Sequence, residues 1–176
     1  MGTFDDVNAI SKIAVNTHLA GAAGTVTGAA VTRLSGGKTD IIMMLNGALA
    51  GLVAITAEPL TPTPSIAIAI GSIGALIMYF GTKMLENFGI DDVVGAIPVH
   101  MFAGIFGTLV VPLTNSDTSF GTQLVGTLSV CIFSFVFSYL VFIALKATVG
   151  LRISKAAEKL GTDKSEIGVS AYSIRD

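Results

Sequence analysis

The sequence predicts an all-α integral membrane protein with five transmembrane helices, on three observations. Of 176 residues, 52% are apolar and 12% charged, with a mean hydropathy of +0.77; an ordinary soluble domain carries about 25% charged residues. The apolar residues fall in five runs, about 8–32, 41–57, 66–84, 91–112 and 120–148, each near the roughly 20 residues that cross a hydrocarbon core of ~30 Å. The cations alternate: Arg33 and Lys38 lie in the first connection, Lys83 in the third, none in the second or fourth, and Arg152, Lys155, Lys159, Lys164 and Arg175 in the tail. Lysine and arginine in short loops stay cytoplasmic, so five spans with the N-terminus outside and the C-terminus inside satisfy every loop. An even count would break the alternation.

The opening MGTFDDVN carries Asp5 and Asp6 and lacks the basic flank of a cleaved leader. The first run holds Lys12, Asn16, Thr17 and His18 among small residues, and Gly24 with Gly28 forms a GxxxG step that lets helix backbones approach closely in lipid. RLSGGKTD is a short polar loop. The second helix is short for a span, with Asn46 its strongly polar side chain and a second GxxxG step at Gly47 and Gly51. Pro59, Pro62 and Pro64 end it, because proline removes a backbone donor and biases the preceding residue to extended conformations. The third helix is again glycine-rich, at Gly71, Gly74 and Gly81.

The stretch IDDVVGAIPVHMFAGIFGTLVVPLT organises the chain. Asp91 and Asp92 read as a helix start, where carboxylates favour the positive end of the dipole. His100 is then the only ionisable side chain before Thr114, and an imidazole at that depth marks a functional position facing a cavity or partner. At helical spacing its face is set by Ala96 and Gly104, with Ile97 beside them. Pro98 is expected to kink the helix two residues before the imidazole. The fifth run gathers Phe120, Phe133, Phe135, Phe137, Tyr139 and Phe142, which suits a face toward lipid, and Cys131 reads as a small buried thiol. The membrane domain is thus 1–149, and 150–176 is a charged cytoplasmic tail.

No metal-ligand cluster, cofactor motif, activated nucleophile or phosphate loop stands out, so neither an enzyme nor a cofactor is expected, and no basic patch suggests nucleic acid. Glu58 beside Pro59 reads as a solvated carboxylate at the outer rim, and His18 as a packing or interfacial residue.

The motifs VNTHLAGAAGTVTG, MMLNGALAGLVAITAEPLTPTP, IDDVVGAIPVHMFAGIFGTLVVPLTN and ATVGLRIS with EKLGTDKSEIGVSAY, in that order, resemble the bacterial-type branch of the ammonium transporter (Amt/Mep/Rhesus) family. The resemblance covers nearly the whole chain. It implies a trimeric fold of about eleven spans built from inverted repeats around a narrow hydrophobic pore, of which this chain resembles spans seven to eleven and the tail, an incomplete inverted repeat. It also implies that His100 is one of two histidines paired at the pore centre, the other having no counterpart here, and that Ala96, Ile97 and Gly104 are pore-lining beside it. Ammonium or ammonia is the implied substrate. The tail resembles the family's C-terminal region at Gly150, Arg152, Glu158, Gly161, Asp163, Gly168 and Tyr172, which in that family couples subunits and meets P-II type regulators. The expected function is therefore a truncated transport-family protein that supplies the His100 half of a pore and needs other membrane polypeptides or copies of itself, in a bacterial inner membrane or an organelle membrane of bacterial descent. The alternative is a non-conducting structural subunit of a larger membrane complex.

Overall fold

The computed structural model describes residues 3–172, and Arg175 of the tail lies outside the described residues. All regular structure among the described residues is helical. Two compact units emerge, Met1–Leu128 and Ser129–Asp176, divided within the helix of the fifth apolar run, Phe120–Thr148, rather than at its end.

The first helix, α1 (Phe4–Gly36), runs beyond the expected 8–32 at both ends. Its start is set by a capping box: the Thr3 hydroxyl accepts from the Asp6 N–H at 3.2 Å, and the Asp6 carboxylate accepts from the Thr3 N–H at 2.7 Å. Its end is delayed until Gly37, whose φ of 74° makes a left-handed cap, so Arg33 lies in the last helical turn and not in the loop. Helix α2 (Ile41–Thr56) begins where Asp40 Oδ1 accepts from the N–H groups of Ile42 and Met43 at 2.8 and 3.1 Å. Helix α3 (Pro64–Asn87) starts on proline, whose missing donor costs nothing in a first turn, and it too carries its cation, Lys83, inside the helix.

Helices α1, α2 and α3 pack on one another through backbone rather than bulk. A Cβ built on Gly47 would lie 2.5 Å from the Gly24 carbonyl oxygen, and one on Gly28 would lie 2.6 Å from the Met43 carbonyl oxygen. The positions of Gly24 and Gly51 are equally tight, against the carbonyls of Gly47 and Ala20. The two GxxxG steps therefore meet face to face, and no side chain fits between them. The same holds for Gly71 on α3, which lies against Ala20. Around this seam, one buried cluster joins Ala20, Ala54, Ile55, Ala67 and Ile70, and a second joins Ala50, Met78, Val99 and Ala103.

Two buried asparagines pin loops to this bundle. Asn16 is fully buried on α1 and its Nδ2 donates to the carbonyls of Pro59 and Pro62, both at 2.9 Å, fixing the proline turn between α2 and α3. Asn46, buried on α2, donates from Nδ2 to the Val94 carbonyl at 3.0 Å.

The fourth apolar run corrects the expectation of one helix over 91–112. Residues 91–95 are irregular, and Gly95 has φ of 73°. The chain then enters a π-helical turn (Ile97–Phe102), continues as α4 (Ala103–Val110) and tightens to a 3₁₀ turn (Val111–Leu113). Asp92 does serve the helix start, but from outside: its carboxylate reaches forward to accept from the N–H groups of Ala96 and Ile97 at 2.9 and 2.8 Å. Pro98, with no N–H to give, sits where the ladder widens.

Among the described residues two helices are long and apolar enough to cross a membrane, α3 and α5 (Phe120–Thr148); α2 and the Ile97–Leu113 segment are shorter apolar helices. No residue of α5 is buried, and its rings stack at four-residue spacing, Phe133 on Phe137 at 5.8 Å and Phe135 on Tyr139 at 6.1 Å. Cys131, expected to be buried there, is partly exposed.

In the second unit, α5 ends on Gly150, where φ is 82° and the N–H donates to the Leu145 carbonyl at 2.9 Å. The short helix α6 (Lys155–Leu160) is capped by Ser154, and a π turn (Asp163–Ile167) follows.

Candidate functional site

The site is built on the π turn. Pro98 and Val99 face inward, Val99 at 2% exposure among Ala50, Met78 and Ala103. The next residue, His100, faces outward, exposed, and its ring makes no hydrogen bond with any described residue. Helix α3 makes room for this turn at Gly81, where a Cβ would lie 2.5 Å from Phe102 Cδ2 and 3.3 Å from Pro98 Cβ. The widened turn closes where the Ala103 N–H reaches the carbonyls of both Pro98 and His100.

Of the residues expected beside the imidazole, Ala96 is exposed, while Ile97 and Gly104 are half-buried. The four-residue spacing used to place them belongs to an α-helix, and the π turn between 97 and 102 alters it. Gly104 has ordinary room, since a Cβ there would lie 3.5 Å from Val53 Cγ1. It therefore differs from Gly107, whose added Cβ would strike the backbone of Ala54.

What holds the site in place was only partly foreseen. Asn46 was visible as a lone amide in an apolar run, and the rule that such groups find partners in the protein was the signal. Its partner, the Val94 carbonyl 48 residues away, was not readable. At the opposite end of the helix, Glu58 corrects the expectation of a solvated carboxylate. Its Oε1 accepts from the N–H groups of Leu60 and Thr61 at 3.1 and 3.2 Å, and its Oε2 accepts from Asn115 Nδ2 at 3.0 Å. The Thr61 hydroxyl donates to that of Thr114 at 3.3 Å, so this end is tied to the proline turn. His18 stands apart, exposed on α1 with Nδ1 at 2.7 Å from the Ala14 carbonyl; that acceptor requires the proton on Nδ1.

The tail positions form turns. Gly161 (φ 97°) leaves space that a Cβ would contest with Asp163 Oδ1 at 2.6 Å, and Gly168 (φ 78°) lets the chain turn so that the Val169 N–H donates to the Asp163 carbonyl at 3.1 Å. Asp163 Oδ2 accepts from the Ala171 N–H at 2.8 Å, a bond that holds its carboxyl below the usual aspartate value of 3.8. Arg152 pairs with Glu158 at 2.6 Å, both exposed.

No cluster of three or more metal-ligating side chains occurs among the described residues. The arrangement offers an imidazole with two ring nitrogens, presented on one face of a helix whose other face is buried.

Comparison with known proteins agrees with this architecture. The model of the Ammonium Transporter Family matches residues 2–172. Ammonium transporter Amt2 of Archaeoglobus fulgidus is 39% identical over 184 residues, covering 93% of this chain and 39% of its own length. A putative ammonium transporter of Synechocystis is 36% identical over 167 residues, covering 93% of this chain and 38% of its own length. The chain thus spans about two fifths of these curated relatives. Among solved structures, a Sensor Amt Protein superposes with a TM-score of 0.84 at 30% identity, covering 90% of this chain and 42% of that one. Mep2 of Candida albicans superposes with a TM-score of 0.76 at 26% identity, covering 89% and 39%. Together with the helical fold, these matches establish that the chain belongs to the ammonium transporter family.

Proposed function

We propose that this chain supplies one half of an ammonium or ammonia pathway across a membrane, with His100 lining it beside Ala96, Ile97 and Gly104. The observation that carries the proposal is the placement of His100. Its neighbours Pro98 and Val99 are buried in the bundle while its own ring is exposed and makes no hydrogen bond with any described residue. An imidazole turned to hydrocarbon would be costly, so a face that carries one belongs to a pathway or a partner helix.

Ammonium is expensive to desolvate as a cation, and movement as ammonia avoids that cost. A neutral imidazole serves such a step by accepting at one nitrogen and donating at the other. In this reading the chain has five spans, carried by α1, α2, α3, the Ile97–Leu113 segment and α5, with the N-terminus outside. Residues 150–176 then lie in the cytoplasm, where the turns at Gly150, Gly161, Asp163 and Gly168 offer a surface for neighbouring subunits or a P-II type regulator. The chain works with other membrane polypeptides or as a homo-oligomer, because the His100 face needs cover, while the glycine seams are closed within the bundle.

The test is methylammonium uptake in cells that lack their own ammonium uptake and express this chain. Uptake that is lost in His100→Ala supports the proposal. Uptake unchanged by His100→Ala refutes it, and correct membrane insertion with no uptake refutes conduction by a homo-oligomer of this chain. A stable, monodisperse monomer in mild detergent would overturn the requirement for partners.

A further inference from the structure

Asn46 is 9% exposed on a helix that is otherwise apolar, and its neighbours on the same seam are Gly47, Ala50, Gly51 and Ala54. Packing alone would be served there by another small apolar residue, since burying an amide costs free energy unless it is bonded. Its Nδ2 donates to the Val94 carbonyl at 3.0 Å. The next residue, Gly95, has φ of 73°, and a Cβ on it would stand 2.7 Å from the same Nδ2. The amide therefore occupies the space that any side chain at 95 would take, and the main chain bends around it.

From that contact the path to the imidazole is short and bonded. The Val99 N–H donates to the Gly95 carbonyl at 3.2 Å, and the Ala103 N–H closes the widened turn on Pro98 and His100. Asp92 holds the N–H groups of Gly95, Ala96 and Ile97, the first at its main-chain carbonyl at 3.1 Å and the other two at its carboxylate. Those bonds all lie within the segment; Asn46, on α2, ties it to another helix through the Val94 carbonyl.

We propose that Asn46 is a positioning residue for His100: its amide, bonded to Val94 and seated against bare Gly95, sets the rotation of the π turn that presents the imidazole. The functional consequence rests on the reading of His100 as a pathway residue; the geometric claim stands apart from it.

The experiment uses the purified chain, in whatever assembly it keeps, labelled with ¹⁵N in its histidine rings and asparagine side chains. His18→Gln assigns the two histidines. In the unsubstituted chain the Asn46 side-chain amide, assigned by substituting the other asparagines in turn, resists solvent exchange, and an amide that exchanges as fast as a free one overturns the proposal. In Asn46→Ala the ring signals of His100 shift or split while those of His18, held to Ala14 on α1, do not move. Unmoved His100 signals, or equal changes at both histidines, overturn it. Where Asn46→Ala fails to fold, Gly95→Ala disturbs the same contact from the loop side and is read by the same signals. Methylammonium uptake falls about fivefold in Asn46→Ala, the factor one lost hydrogen bond gives, at an unchanged half-saturating concentration. If His100→Ala leaves uptake intact, the pathway reading fails, and the ring signals still decide the positioning role.

Discussion

Replacing Gly24 with alanine adds one methyl group where the structure has no room for it. The new Cβ would press on the Gly47 carbonyl oxygen and stand 3.0 Å from the Gly47 carbonyl carbon and 3.2 Å from Gly51 Cα. All three neighbours are main chain, so no rotamer change relieves the overlap and α1 must move away from α2. Overpacking of this kind costs about 1–3 kcal/mol. Alanine returns somewhat under ~1 kcal/mol through its better helix propensity, which leaves a net loss of roughly 1–2 kcal/mol. Gly21→Ala is the internal reference: the helix and propensity gain are the same, but the nearest atom is Leu52 Cδ2 at 2.9 Å, the far end of a flexible side chain. The measurement is thermal unfolding in mild detergent, followed by circular dichroism. Gly24→Ala lowers the midpoint by about 4 °C, at roughly 2–4 °C per kcal/mol for a chain of this size. Gly21→Ala leaves the midpoint unchanged or raises it. Equal midpoints for the two variants would refute the backbone seam.

Two further outcomes follow from single side chains. Asp163 has its carboxyl lowered by the Ala171 N–H, so its contribution to the tail turn is complete above the usual value of 3.8 and is lost as pH falls through the lower folded value. Exchange protection of the Ala171 amide should fall only in that acid window, and Asp163→Asn should remove the dependence; protection indifferent to acid would contradict it. Glu58→Ala removes the shared acceptor of Leu60, Thr61 and Asn115 and should cost about 1.5 kcal/mol, the scale of hydrogen bonds to a charged group. Limited proteolysis should then cut both the 57–63 and 114–119 segments faster. Faster cutting of the first alone would show that Glu58 does not bridge them.

The helical class and the places where the long helices lie follow from composition, prolines and caps, which act locally. Pro64 at the head of α3 and Asp40 at the head of α2 are signals of this kind. The start of the fourth apolar run was misread because two acids before an apolar run normally mark a first turn. Asp92 caps from four and five residues upstream, and Gly95, at a φ of 73°, breaks the expected helix. The π turn left no trace in periodicity: Pro98 predicted a disturbance but not its form. Glu58 shows the same limit, since its Asn115 partner is 57 residues away. His100 was legible as a lone ionisable group; that its ring is turned outward while Val99 is turned in was not.

The seam between α1 and α2 has a consequence for how the chain enters a bilayer. The glycine, alanine, threonine and asparagine positions that let α1 reach its neighbours are positions where leucine or isoleucine would have given it affinity for hydrocarbon. Helix α1 is long at 33 residues, yet it does not rank among the helices apolar enough to cross on their own. On the five-span proposal, α1 is held in the bilayer by docking rather than by partition, so for this helix insertion and assembly are one event. Any change that loosens the glycine contacts should therefore be felt first as a failure of this helix to stay in the bilayer.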